Sequence, residues 1–427
     1  MFKIYIYTLF ILPVCLLLTV SGAFAQGPQP DTLKLSITQA EDLFLKNNLQ
    51  IIIQRYNIDN ASAQVITARL FPNPDFSFNN GIHTNDVTQG PAYKDQSFSV
   101  SQLFTTAGKR NKSIQLAKIG VDQAKYQFFD LLRTLKFTLR NDFYSIYFQE
   151  QSAKVYNDEI SSLSKTLTVF RAQYAKGNVA QKEVLRIQSQ LYTLQAEYNN
   201  LLVGIDTVQS EFKILVKAKP DTYIQPVYNY DLDSKSIVET VPYQRMLDSA
   251  YVNRYDLKLA KINVDYNNMN LQVQKATAVP DFSLSLNYDK YGGYGTNFIG
   301  AGIEFNLPFF NRNQGNIKHA RIAIDQSKVQ LQSQQDQLES DLATNYKGAL
   351  RLEKLYNSFD PQFKQNFTQL IQEVFKNYEK RNIGLLEFLD FYDSYKTNTL
   401  QLNTLELNRV ITLEQLNYVT GTPFFNK

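Results

Sequence analysis

Residues 281–289 read DFSLSLNYD, a stretch in which apolar side chains alternate with aspartate, serine and asparagine. This period of two is typical of a β-strand with one apolar and one polar face. A few positions later, residues 298–307 read FIGAGIEFNL and alternate in the same way. The two stretches predict a pair of strands, and the polar residues 290–297 are expected to form a loop between them.

The first half of the chain contains the same features, about 204 residues earlier. Residues 75–82 and 96–104 alternate between Phe or Val and Ser or Asn, which predicts a second strand pair. Further along, YAKGNV at 174–179 matches YEKRNI at 378–383. Similar blocks that recur in one order at nearly constant spacing indicate that the chain is a duplication.

Each half is expected to begin with an amphipathic helix, at about residues 37–69 and 244–276, because apolar residues recur there at helical spacing. Ser36 or Thr38 is suited to cap the first of these helices. A strand pair follows the helix in both halves. The predicted order within each repeat is therefore helix, strand pair and long helical segment.

The long helical segments predict two hairpins. Residues 107–219 contain no proline, and the helical pattern breaks at 177–178, where glycine and asparagine favour a turn. The second repeat shows the same pattern with a turn at 382–384 and one more break at Asp360-Pro361. A helix from 107 to 175 would be on the order of 100 Å long at ~1.5 Å per residue. Such helices extend far beyond an ordinary globular core.

The N-terminus is predicted to be a cleavable export signal. Lys3 precedes an apolar run, and Ala23-Phe24-Ala25 is a small-x-small cleavage site. Cys15 lies inside the apolar run, so no N-terminal lipid is expected after cleavage. The predicted organisation is a signal peptide at 1–25, a first repeat at 26–219, a linker at 220–242 and a second repeat at 243–427.

The composition excludes several classes of function. The chain has 44 Lys and Arg against 40 Asp and Glu, a formal net charge of +4, which does not indicate a nucleic-acid partner. Cys15 is the only cysteine, so the exported chain has no thiol chemistry. His83 and His319 are the only histidines, and neither lies in a cluster with metal-ligand spacing. No phosphate loop, nucleophile elbow or HExxH motif is present, so we expect neither an enzyme nor a bound cofactor.

The alternating strands are suited to a membrane. Their apolar face would be the core of a soluble sandwich or the lipid-facing side of an outer-membrane barrel. An open sheet edge cannot exist in hydrocarbon, and four strands cannot close a barrel. Several chains must then share one barrel. Two chains would give eight strands and three would give twelve, and the sequence alone does not choose between them.

Across essentially its whole exported length, the chain resembles the TolC-like outer-membrane efflux proteins. The duplicated layout carries this resemblance, together with LPFFNRNQG at 307–315 and LNYVTG at 416–421. The first motif is similar to the CzcC/CusC-like heavy-metal branch, although the acylated N-terminal cysteine of many members is absent. The resemblance implies a mainly α protein that forms a homotrimer, with a twelve-stranded membrane β-barrel and a periplasmic α-helical barrel. It also implies a location in the outer membrane, a periplasmic adaptor and an inner-membrane pump of the RND or a similar type.

The resemblance also suggests where the functional residues lie. Glu387 and Asp390 match a pair of acids, three residues apart, that rings the closed periplasmic end in that family. Three chains would place six carboxylates around one pore, an arrangement that favours cations. We hypothesise that Arg186 or Arg381 pairs with these acids and holds the end shut. The adaptor-docking tips would be the two turns formed by Gly177, Asn178, Val179, Asn382, Ile383 and Gly384.

Two other functions are compatible with parts of the pattern. A secreted or periplasmic coiled-coil scaffold or adhesin would have the same helices, but it would not need four alternating strands. A periplasmic adaptor also contains a helical hairpin, but it would have one hairpin between β-rich domains rather than two. We therefore favour a channel that passively conducts metal cations, drugs or other small molecules to the exterior.

Overall fold

The computed structural model describes residues 31–81, 96–228, 237–292, 295–360, 362–380 and 382–425. The predicted signal peptide, Cys15, His83 and Arg381 lie outside these ranges. The first repeat consists of β1 (Thr32–Leu35), α1 (Ile37–Asn47), α2 (Leu49–Arg69), β2 (Asp75–Asn80), β3 (Gln96–Phe104), α3 (Lys109–Ala175), α4 (Gln181–Val216) and β4 (Tyr223–Pro226).

The second repeat has a similar order of helices and strands. A short 3₁₀ turn at Val238–Thr240 precedes it. Its elements are α5 (Tyr243–Asn253), α6 (Tyr255–Thr277), β5 (Phe282–Gly292), β6 (Gly295–Phe305), α7 (Gln314–Asn357), α8 (Phe363–Glu379) and α9 (Leu385–Thr420). The prediction of a mainly α chain with two strand pairs is confirmed.

The prediction of one continuous helix at the start of each repeat is wrong. Asn48 separates α1 from α2 in an extended conformation (ψ 120°), and Arg254 separates α5 from α6 in the same way (ψ 122°). The buried Asn48 amide accepts a hydrogen bond from Ile51 N and donates one to Leu215 O. These bonds satisfy the backbone at a new helix start, which apolar periodicity alone does not reveal. Ser36, one of the two residues predicted to cap the first helix, caps α1 in a capping box with Gln39.

The helix α3 is 67 residues long, which corresponds to about 100 Å. It turns back into α4, and the equivalent hairpin of the second repeat is formed by α7, α8 and α9. The predicted break at Asp360-Pro361 is observed as a gap between α7 and α8. No helix in the described ranges combines the length and the hydropathy needed to cross a membrane.

Four strands form one antiparallel sheet in the order β2-β3-β5-β6, so the two repeats join between β3 and β5. Within the described residues, β2 and β6 are edge strands with no further partner. The predicted loop at 290–297 is wrong at both ends, because Tyr291 pairs with Thr296 and Gly292 with Gly295. Both strands therefore extend further towards the hairpin turn than their alternation indicates.

The sheet has two chemically different faces. Register pairing places Phe76, Val100, Leu286 and Ala301 in one row across it, with an adjacent row on the same face formed by Phe78, Phe98, Tyr288 and Ile299. Tyr288 is half-buried, and the other side chains of these rows are exposed; Phe76 is 68% and Ile299 is 75% accessible. The opposite face is lined mainly by small and polar residues, namely Ser77, Ser99, Ser101, Ser283, Ser285, Asn287, Gly300 and Gly302.

A second, two-stranded sheet was not predicted. β1 and β4 pair in parallel, which brings the linker after the first hairpin back to the start of the repeat. Ile224 on β4 is fully buried in a core with Phe44, Leu139 and Phe212. The four-residue strands are too short to show a clear period of two, which is why the sequence does not reveal them.

Buried ion pairs connect the repeats through α3. The Arg140 guanidinium lies 2.6 Å from Glu41 and 2.7 Å from Glu414, so one side chain links α1 to α9. Burial acts to raise the pKa of Glu41, but the hydrogen bond and positive charge of Arg140 lower it below its usual value. Arg254 similarly contacts Asp256 beside the break between α5 and α6.

Candidate functional site at the hairpin tips

The two hairpin turns have the same hydrogen bonds. In the first, Asn178 N donates to Gln173 O at 3.0 Å and the Asn178 amide donates to the Gln173 side chain at 2.7 Å. In the second, Asn382 forms the equivalent backbone bond (2.9 Å) and side-chain bond (3.1 Å) to Asn377. Gly177 has a φ of 75°, the left-handed conformation that closes a helix C-terminus. The repeated asparagine is therefore a structural requirement of both tips.

Aromatic rings join the two hairpins just above these turns. Phe170 on α3 stacks on Tyr378 on α8, with ring centroids 5.6 Å apart. Tyr378 then stacks on Phe388 on α9 at 4.2 Å and an interplanar angle of 8°. Val179 and Ile383, at equivalent positions of the turns, pack against the same cluster. These contacts hold the two tips side by side as one unit.

A cleft of about 850 Å³ lies between the tips. It is lined on one side by Asn178, Val179 and Glu183, and on the other by Ile383 and Gly384. Tyr378 also lines this cleft, and its buried hydroxyl has no hydrogen-bond partner among the described residues.

The predicted acids lie on the first turns of α9. Glu387 and Asp390 are both exposed, whereas Phe388 between them is fully buried in the aromatic cluster. The packing of Phe388 thus directs the two carboxylates away from the hairpin interface. Arg186 is exposed on α4 and makes no ion pair with either acid within the described part of the chain. The hypothesis that Arg186 pairs with these acids stays a prediction, and Arg381 lies outside the described residues.

A buried charge cluster about two helical turns beyond the acids was not predicted. Glu159 on α3 is only 3% exposed, and neither carboxylate oxygen has a hydrogen-bond partner. Lys396 on α9 is also buried, and its ammonium group binds Glu197 at 3.0 Å and Asp393 at 3.2 Å instead. Burial raises the pKa of Glu159 to about 8, with the nearby carboxylates adding to the shift against the opposing charge of Lys396.

The sequence contained a signal for this cluster. Glu159 lies four residues before Leu163 on the apolar stripe of α3, where an acid is unusual. Its partners are far away in sequence, so the pattern could not show which charges face it. Within the described ranges, no three His, Cys, Asp or Glu side chains lie close enough together to bind a metal ion.

A four-stranded open sheet combined with two long helical hairpins is the fold of several bacterial outer membrane channels. CmeC of Campylobacter jejuni matches with a TM-score of 0.75 and 14% identity, over 91% of this chain and 86% of CmeC. VceC of Vibrio cholerae matches with a TM-score of 0.72 and 16% identity, over 91% and 97%. CusC matches with a TM-score of 0.71 and 14% identity, over 90% and 92%.

The sequence itself matches one protein family in its second repeat. The family described as outer membrane efflux protein matches residues 246–422. No curated protein sequence matches the chain. The structural likeness extends over both repeats and establishes the fold, while the family match covers α5 to α9 and therefore includes the second hairpin tip.

Proposed function

We propose that this chain is the outer-membrane channel of a tripartite efflux system. In this proposal a homotrimer passively conducts small molecules to the exterior from an inner-membrane pump of the RND or a similar type, through a periplasmic adaptor. The proposed location is the outer membrane, with the helices extending into the periplasm. The chain performs no catalysis in this role. The family match of the second repeat and the fold shared with CmeC, VceC and CusC support the proposal.

The single observation that carries the proposal is the sheet. Its apolar rows are exposed to the surroundings, and among the described residues both of its edge strands present unpaired backbone groups. In water the exposed rows would be unfavourable, and in lipid the open edges would cost several kcal/mol per unpaired group. Both problems disappear when several copies close one barrel with the apolar rows outward. Three copies would give twelve strands, with the serine- and glycine-rich face lining the pore.

The experiment that tests the proposal is native mass measurement of the detergent-extracted protein, followed by conductance in planar bilayers. A trimer that inserts and forms water-filled pores is expected. A water-soluble monomer in the periplasm would contradict the proposal and favour the scaffold, because the apolar rows would then have to pack elsewhere.

We predict that the exposed acids of α9 control ion selectivity. The double change Glu387→Gln and Asp390→Asn removes six carboxylates per trimer at nearly constant side-chain size. The cation preference of the pore is expected to fall towards that of bulk electrolyte, because a ring of carboxylates attracts cations and repels anions. Reversal potentials across a salt gradient measure the change.

The control for this selectivity measurement is Asp325→Asn. It removes an exposed acid from the N-terminal half of α7, far from the hairpin tips. It is expected to leave the reversal potential unchanged. Equal reversal potentials for the wild type and the double variant would show that Glu387 and Asp390 do not face the conducting path.

We predict that a bulky charge at the second tip prevents adaptor docking. Gly384 has an ordinary φ of −79° and open space around the position of a Cβ atom, so Gly384→Arg is compatible with the fold. The arginine would project into the cleft between the tips, and we expect efflux to fall to the level of a strain without the channel. Drug or metal resistance of complemented cells measures this loss, and adaptor cross-linking reports docking directly.

Gly204→Arg is the matched control, because Gly204 in the middle of α4 also has open space around it and lies far from the tips. Both variants should form trimers of normal mass. Full resistance in cells with the Gly384→Arg channel would rule out the second tip as part of the docking site.

A further inference from the structure

The four segments that join the sheet to the helices carry a large excess of positive charge. Residues 63–74, 105–118, 270–281 and 306–321 contain nine lysines and arginines but a single acid, Asp281, whereas the whole chain is nearly balanced at 44 basic and 40 acidic residues. We call these nine residues the basic collar. They are Arg69, Lys109, Arg110, Lys112, Lys118, Lys275, Arg312, Lys318 and Arg321.

Most of the collar charge has no ion-pair partner among the described residues. Asp281 is occupied by Lys109, whose ammonium group lies 2.7 Å from the carboxylate. The other eight collar residues make no ion pair among the described residues. Arg110 and Lys112 donate to the backbone carbonyls of Arg69 and Ala107, which orients their side chains without removing their charge. The described residues therefore leave most of the collar charge available to another molecule.

Large apolar side chains are exposed in the same segments. Phe310 is 93% accessible, and Leu70, Phe71, Leu307 and Phe309 are also exposed. Leaving a phenylalanine side chain in water rather than burying it is unfavourable. Such a group of exposed side chains indicates a surface that contacts an apolar phase or partner.

The cations and the exposed rings lie next to each other. The Arg110 guanidinium is 4.1 Å from the centre of the Phe71 ring, and the Arg312 Nε donates to Phe309 O at 3.3 Å. The apolar face of the sheet ends nearby with the row of Phe104, Phe282 and Phe305. Along the molecule, the order is thus an apolar band, then exposed rings, then cations. The boundary between acyl chains and phosphate headgroups has this order of chemistry.

We propose that the basic collar binds the headgroups of anionic phospholipids in the periplasmic leaflet, with Phe309 and Phe310 inserted at the edge of the acyl chains. This inference rests on the proposed function, since it requires the sheet to span the outer membrane. Each lysine or arginine near an anionic leaflet strengthens binding to its headgroups. Collar residues from three chains would surround the barrel, which would fix its height in the membrane.

The test compares lipid retention in native mass spectra of the trimer in mixed micelles. The collar variant carries Arg312→Gln, Lys318→Gln and Arg321→Gln, all exposed positions without ion pairs. The matched control carries Lys347→Gln, Arg351→Gln and Lys354→Gln, which are exposed positions near the C-terminal end of α7. Wild type and control are expected to retain phosphatidylglycerol in preference to phosphatidylcholine. The collar variant is expected to lose this preference by about tenfold or more, because three of the cations that contact the headgroups are removed.

Equal retention of phosphatidylglycerol by the collar variant and the control would overturn the inference. A change in anion conductance without a change in lipid retention would also overturn it, because it would assign the cations to the pore. The same spectra separate this result from failure of the proposed function. Absence of a trimer refutes the channel, whereas a trimer without lipid preference refutes only the collar.

A second measurement does not depend on charge removal. The chain has no tryptophan, so Phe310→Trp introduces one tryptophan per chain, whose emission can be excited selectively over that of the tyrosines. In vesicles containing phosphatidylglycerol, its emission should shift to the blue and be quenched by lipids brominated near the headgroup. Leu386→Trp at the exposed tip of α9 is the control and should remain unquenched. A solvent-exposed emission maximum for Phe310→Trp in the inserted trimer would contradict the proposed position of this segment.

Discussion

Replacing Leu286 by lysine is expected to prevent stable assembly in the membrane. Leu286 is 62% exposed at the centre of the apolar face, in one row with Phe76 and Val100. A lysine on the lipid face near the middle of the bilayer costs roughly 2–4 kcal/mol, and every chain of an oligomer would incur this cost. We expect little or no folded oligomer in the outer-membrane fraction, measured as the heat-resistant band in unboiled gel samples.

The neighbouring residue provides the control. Asn287 follows Leu286 on β5 and faces the opposite side of the sheet, where it pairs with Ser99 and Gly300. Asn287→Lys should assemble normally, since its ammonium group would lie in the water-filled interior of a barrel. If the effects of the two lysines were reversed, the apolar face would not face lipid. The assignment of the pore would then be wrong.

Replacing Glu159 by glutamine is expected to stabilise the protein increasingly as the pH rises. The pKa of Glu159 is raised from its usual 4.5 to about 8. Below pH 4.5 the carboxyl is protonated in both the folded and the unfolded chain. Between 4.5 and 8 only the unfolded chain loses the proton, so the stability of the wild type falls with rising pH by an amount on the order of 5 kcal/mol. Glutamine does not titrate and removes this loss.

The measurement is the melting temperature of the wild type and the Glu159→Gln variant from pH 4.5 to pH 9. The difference between the two should be smallest at pH 4.5 and reach its maximum above pH 8. Burial also raises the pKa of Asp142 to about 8, but this group titrates equally in both proteins and cancels in the difference. Asp158→Asn, at the exposed neighbouring position, is the control. A difference that does not vary with pH would show that Glu159 is already ionised in the folded chain.

The four strands and the long helices were predictable because each depends on a local period. Alternation along β2, β3, β5 and β6 distinguishes an apolar from a polar face without knowledge of the rest of the chain. Duplication strengthened the prediction, since features of one repeat could be checked against the other. The breaks at Asn48 and Arg254 were missed because they depend on contacts made from other elements, such as the bond from Asn48 to Leu215 O.

The candidate site was predictable only in part. Gly177 and Asn382 were recognisable from the turn chemistry that ends a helix, and the spacing of Glu387 and Asp390 places both on one helix face. The aromatic stack from Phe170 through Tyr378 to Phe388 joins residues more than two hundred positions apart, so no local pattern reveals it. The burial of Glu159 beside the charges of another hairpin escaped prediction for the same reason.

The sequence by itself determined the duplication, the alternating strands, the length of the helices and the positions of both turns. These features follow from side-chain periodicity and from the backbone freedom of glycine and asparagine, which act over a few residues. Tertiary structure alone decided that β3 pairs with β5, that the two tips lie side by side and that the charged collar segments meet below the sheet. Each of these depends on contacts between distant parts of the chain, and their energy is gained only when the repeats pack together.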